Sequence, residues 1–175
     1  LEVRDPSFAL PLVYVDDVIR AFLSHLNNRF KGLGTYEVTP VFNTTLGELA
    51  DIISSFPGLR ESLRAPKVGK GLEKRLYSTY LSYLPADKFS YPMELKKDNR
   101  GDLFEWIKSE DFGQIFVSTT KPGITRGNHY HHSKTEKFLV IRGEAEISLR
   151  LIDSDQVITY KVYGSQPTVV DMPPG

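Results

Sequence analysis

Apolar residues recur at helical spacing in the first half of the chain and at strand spacing in the second. Val15, Val18, Ile19, Phe22, Leu23 and Leu26 share one side of a predicted helix over residues 14–28. Asp16 and Asp17 sit in its first turn, where the helix dipole favours acids. Asn27-Asn28 and Gly32-Leu33-Gly34 supply the stop. Thr35-Tyr36-Glu37-Val38 predicts a short strand. Thr45 and Glu48 stand at capping-box spacing and open a second helix. Leu46, Leu49, Ala50, Ile52, Ile53 and Phe56 lie on one face of that helix, and Pro57-Gly58 reads as its end. Lys67, Lys70, Lys74 and Arg75 follow in a Gly-containing stretch, which reads as a solvated loop and helix face rather than an anion site.

Pro85, Pro92 and a run of charges then mark a boundary near residue 90, beyond which the period changes. Residues 103–107, 114–117, 137–141, 145–149, 157–160 and 169–170 are short apolar runs separated by Gly, Asp and Pro turns. Such spacing predicts a sandwich or barrel. The expected fold class is α+β overall: a mixed first domain over 1–89 and an all-β domain over 90–175.

The 175 residues are 40% apolar and 25% charged, the balance of a chain that can build a core. Lys plus Arg equals Asp plus Glu, 22 of each, which argues against a strongly basic nucleic-acid binder. The absence of cysteine removes disulfides, thiolate zinc sites and Cys nucleophiles together. No apolar run approaches the roughly 20 residues of a membrane helix, and no signal peptide is visible. The chain opens on Leu1 with an apolar segment close behind and closes on Met172-Pro173-Pro174-Gly175, so it is expected to be part of a longer polypeptide.

Chemistry concentrates in one place. His129, His131 and His132 fall within four residues, and Glu136 follows. Alternation along an extended strand puts His129 and His131 on one face and Tyr130 and His132 on the other. Two imidazoles and a carboxylate converging inside a barrel make a site for zinc or another divalent first-row metal.

The string Gly123, five residues, His129, one residue, His131, four residues, Glu136, six residues, Gly143 resembles the first motif of the cupin superfamily at every fixed position. Pro173-Pro174-Gly175 resembles the opening of the second motif, whose His would be a fourth ligand. Two further segments, 98–105 and 123–130, resemble nucleotide-sugar 3,5-epimerases acting on 4-keto-6-deoxy sugars. That second resemblance implies substrate contacts at Arg100 and Arg126 and, in a metal-free reading, His129 as general base. His131 and Glu136 favour the metal. Epimerisation beside a ketone needs a base for the α proton and a positive centre for the enolate. His132, Glu105, Tyr130 and Lys137 are the proton carriers available, with Tyr130 read as packing; sequence does not choose among the rest. His132 also reads as a surface histidine.

Residues 11–18, Pro-Leu-Val-Tyr-Val-Asp-Asp-Val, resemble the C-terminal substrate lobe of extended short-chain dehydrogenases, which implies a substrate role for Tyr14. The Rossmann half is absent: no Gly-rich turn opens a helix after a strand. Tyr130 to Lys134 has the Tyr-x-x-x-Lys spacing but lies inside the cupin motif on an extended segment, and reads as coincidence. Together with the linking stretch 76–85, the chain resembles bifunctional capsular polysaccharide enzymes of the CapF type. The resemblance implies a homodimer in the bacterial cytoplasm, with a UDP-sugar substrate and neither nucleic acid nor membrane as partner. It also implies a zinc cupin that epimerises C3 of a UDP-4-keto-6-deoxy-2-acetamido sugar. C4 reduction by NADP(H) would follow in the full-length protein, toward UDP-N-acetyl-L-fucosamine. Two other classes fit the same residues: a non-catalytic sugar-binding or dimerising cupin, and an Fe(II) cupin oxygenase. A jelly roll that lacks its late strands keeps open edges, so swapping with a partner or disorder around 123–136 is expected of the chain by itself.

Overall fold

Two short strands that each lead into a helix begin the chain. In the computed structural model, which describes residues 2–27 and 34–174, β1 (Ala9–Leu12) pairs antiparallel with β2 (Phe42–Thr45), Ala9 opposite Thr45 and Leu12 opposite Phe42. Helix α1 (Val15–Asn27) follows β1, and α2 (Leu46–Ser62) follows β2 without a loop. The junction at Thr45 is closed by the expected capping box. The Thr45 hydroxyl accepts from the Glu48 backbone N–H, and the Glu48 carboxylate accepts from the Thr45 N–H. The Thr45 N–H, with the Thr44 hydroxyl donating to the same carboxylate at 2.9 Å, holds the Glu48 carboxyl below its ordinary range.

Helix α2 runs through Pro57 and Gly58 to Ser62, so the expected stop is wrong. Proline removes one backbone donor from the ladder, but tertiary contacts hold both sides of it. Phe56 is fully buried against Tyr77 and Tyr80 of α3 (Leu72–Ser82), with ring centroids 5.3 and 5.4 Å away. Beyond the proline, the Arg60 guanidinium lies 4.9 Å over the Tyr91 ring. The stretch read as a linker is largely helix, and two of its tyrosines, Tyr77 and Tyr80, are packing residues, while Tyr83 is exposed. The helix ends instead at Leu63, whose left-handed backbone (φ 58°) turns the chain away.

Two further expectations change. Residues 34–38 form no strand; the Tyr36 ring packs on His25 of α1, centroids 4.1 Å apart. The apolar stripe of α1 is in place but open, with Ile19, Phe22, Leu23 and Leu26 between 49 and 72% exposed. The buried residue of that helix is Asp17, clasped by Arg20 at 2.7 Å and by Arg75 of α3 at 3.0 Å. Arg75 thus departs from the solvated face expected of it, while Lys67, Lys70 and Lys74 are exposed as expected. The expected helix stop at Asn28 and Gly32-Leu33, and Gly175 of the second motif, lie outside the described residues.

Every later strand is antiparallel to its partner. A meander of β3 (Lys96–Asp98), β4 (Gly101–Ser109) and β5 (Gly113–Ser118) carries a bulge at Trp106. The 63–65 segment adds to β4: the Lys108 N–H donates to the Leu63 carbonyl and the Ala65 N–H to the Lys108 carbonyl, both at 2.8 Å. This meander accordingly belongs with the helices in one compact unit, Leu1–Pro122, while Gly123–Gly175 forms the other. In the second unit β6 (Glu136–Leu139) pairs with β9 (Val169–Met172), and β7 (Glu144–Arg150) pairs with β8 (Val157–Tyr163). Val162 and Val170 are its buried apolar side chains. Among the described residues, no helix is long and apolar enough to cross a membrane.

Candidate metal centre

The segment that carries the histidines is unpaired, and its backbone is left-handed at Gly127 (φ 100°) and Asn128 (φ 58°), just before His129. Residues 124–131 belong to no strand, so the expected sheet face is not what aligns them. Alternation of an extended chain survives without a ladder partner. The His129 and His131 rings meet edge to face at 4.9 Å, and the Tyr130 and His132 rings do the same at 5.2 Å. Glycine brackets the segment and the strand after it where the backbone is left-handed, at Gly123 (φ 75°) and Gly143 (φ 83°).

Glu136 opens β6 opposite Met172 of β9, so its position comes from the sheet and not from the loop. One ligand atom from each of His129, His131 and Glu136 lies within 4.8 Å of the others. His131 Nε2 is buried, has no hydrogen-bond partner, and stands 3.9 Å from Glu136 Oε1. A buried ring nitrogen without a partner is costly unless something else satisfies it. Donors about 2.1 Å from a tetrahedral ion stand about 3.4 Å apart, so a small inward movement of these side chains would close the set around a divalent cation. The donor types, two imidazoles and a carboxylate, suit such an ion.

Lys134, read from the sequence only as half of a coincidental Tyr-x-x-x-Lys spacing, stands beside the ligand set. Its ammonium pairs with Glu136 Oε1, the same oxygen that faces His131. The signal was present in the spacing, because residues two apart on an extended chain share a side.

The other expected site residues sit as follows. Lys137 follows Glu136 directly in β6, so its side chain leaves by the opposite face, where it pairs with Asp171 of β9. His132 is exposed and takes the side away from the ligand pair, with Tyr130. Arg126 is half-buried. In the first unit, Glu105 bonds Lys108 at 2.8 Å, and that cation holds its carboxyl below the ordinary range. Arg100 is forked onto Asp98 of its own hairpin, Nε at 2.8 Å and Nη2 at 2.6 Å. Those bonds depress the Asp98 carboxyl. Tyr14 is half-buried, with the Arg75 guanidinium 5.7 Å from its ring centre.

Comparison with known proteins adds the following. Residues 96–175 match the family described as "Polysaccharide biosynthesis C-terminal domain". The whole chain is 41% identical to UDP-2-acetamido-2,6-beta-L-arabino-hexul-4-ose reductase of Pseudomonas aeruginosa, covering 47% of that protein. It superposes along its full length on the crystal structure of the capsular polysaccharide assembling protein CapF from Staphylococcus aureus, with TM-score 0.90 and 43% identity over 48% of that chain. A CapF structure with the inhibitor 3-isopropenyl-tropolone matches equally, with TM-score 0.90, 43% identity and 52% of that chain covered. The chain spans about half the length of these relatives.

Proposed function

We propose, from a chain that resembles the CapF-type capsular polysaccharide proteins along its whole length, that residues 90–175 are a metal cupin acting on a nucleotide sugar. The reaction is epimerisation at C3 of a UDP-4-keto-6-deoxy-2-acetamido sugar. Residues 1–89 are the substrate lobe of a short-chain dehydrogenase whose NADP(H)-binding half is not in this chain, and which reduces C4 in the complete cytoplasmic homodimer. The observation that carries this reading is the His129, His131 and Glu136 set with its unsatisfied ring nitrogen.

His129, His131 and Glu136 would hold the ion, zinc by donor type. A bound divalent ion would polarise the keto oxygen and so acidify the neighbouring C–H. The protein's part is to fix that centre, to orient the sugar and to move the proton. Arg126 is the candidate sugar-nucleotide contact on the unit that carries the ligand set, and Arg100 and Tyr14 are the candidates on the other unit. His132, Glu105 and Lys137 are the proton carriers expected from the sequence; His132 and Lys137 take the sides away from the ligand set and Glu105 belongs to the other unit, so the base is not assigned to any of them. Lys108 holds the Glu105 carboxyl below its ordinary range, and Lys137 is paired with Asp171. A tropolone carries two adjacent oxygens that chelate divalent metals, which suits an inhibitor directed at such a centre.

Incubating the protein with the 4-keto sugar in deuterated water tests the reading. Solvent deuterium should enter at C3, and His131→Ala should abolish its entry. Sugar binding without exchange would sink the epimerase and favour the sugar-binding cupin. That second reading draws on the outward sides taken by His132 and Lys137.

A further inference from the structure

Glu136 Oε1 has two claims on it. It is the oxygen that faces the unsatisfied His131 Nε2 at 3.9 Å, and it is the oxygen that receives the Lys134 ammonium. The carboxylate is largely enclosed, its side chain 13% exposed, whereas that of Lys134 is 47% exposed. Enclosed carboxylates are costly without a cation beside them, and Lys134 meets that need from a flexible stem that solvent can receive.

We propose that Lys134 is a resident counter-cation of the centre, one that lowers its affinity for a divalent ion. The inference rests on the metal reading given above. The ion and the ammonium compete for one oxygen, and both are positive. For the ion to bind, Lys134 must swing outward, leaving its charge a few ångströms from the new one. Lys134 therefore keeps Glu136 in place for exchange of the ion and sets how tightly the ion is held. A lysine that instead steadied the carboxylate from behind, as outer partners of metal ligands do, would have the opposite sign: its loss would weaken binding.

Cobalt(II) alone is the probe, titrated into the intact protein against a competing chelator and read by visible absorption. The variants are Lys134→Met, Lys134→Arg and His131→Ala. Because Lys134 is half in solvent, screening reduces the effect, and the methionine variant should bind cobalt about three- to thirtyfold more tightly than the parent at low salt. The arginine variant keeps the charge and should stay near the parent. The advantage of the methionine variant should narrow as salt rises. Unchanged or weaker cobalt binding by Lys134→Met, with its far-UV spectrum intact, overturns the role of the lysine while leaving the metal centre standing. A parent that takes up no cobalt, or a His131→Ala variant that binds it equally well, overturns the centre and this inference with it.

Discussion

Replacing Phe56 by alanine tests why α2 survives its internal proline. The ring is fully buried and makes edge and tilted contacts with Tyr77 and Tyr80. Returning such a side chain to water costs about 1.5–3 kcal/mol. An unrelaxed void of about 50 Å³ adds about 1.2 kcal/mol at roughly 24 cal/mol per Å³, and the lost ring contacts add about 0.5–1 kcal/mol. The sum is about 4 kcal/mol, within the range of about 3–5 seen for such truncations. Set against a domain stability of about 5–15 kcal/mol, that loss takes from about a quarter to most of the total. Urea unfolding followed by circular dichroism at 222 nm reads the effect well, because the α-helices of the described residues all lie in the first unit. With a slope of about 2 kcal/mol per M, the midpoint should fall by about 2 M. Phe56→Leu preserves most of the volume and should lose less than half as much. A midpoint shift below about 0.5 M for the alanine variant would mean that the Phe56 cluster is not what carries the helix past Pro57.

Two other outcomes follow from the same packing. Burial raises the Asp17 carboxyl, but its bonds to Arg20 and Arg75 outweigh that and set it below its ordinary value of 3.8. A depressed carboxyl contributes stability that is complete above its unfolded value and disappears as pH falls through the folded one. The parent should therefore lose helix signal progressively below about pH 4, and Asp17→Asn should be less stable at neutral pH with a flatter acid limb; identical acid limbs would count against the clasp. In the second unit, a Cβ on Gly164 would stand 2.6 Å from the Ile141 carbonyl oxygen and the Arg142 Cα. Gly164→Ala should cost about 1–3 kcal/mol of local stability through this overlap, seen as faster amide exchange in β7 and β8, and unaltered exchange would show that the turn has room.

Much of this protein was legible one residue at a time. The capping box at Thr45 and Glu48, the short strands after residue 100 and the alternation of residues 129–132 depend on local spacing, which a chain carries in any context. The candidate centre could be read for the same reason: two of its donors are two residues apart, and the third heads the next strand. Where the local reading failed, a distant partner had decided the matter. Pro57 does not end α2, because Phe56 and Arg60 are held from α3 and Tyr91. Arg75 leaves the solvated face to neutralise an aspartate 58 positions earlier. The 63–65 segment lies along β4 through bonds to Lys108, a pairing between distant positions that local spacing does not carry. Lys134 and Glu136 show the division most clearly. Their spacing put them on one side, but only the fold enclosed the carboxylate, and enclosure is what turns a nearby lysine from a bystander into a partner whose charge counts.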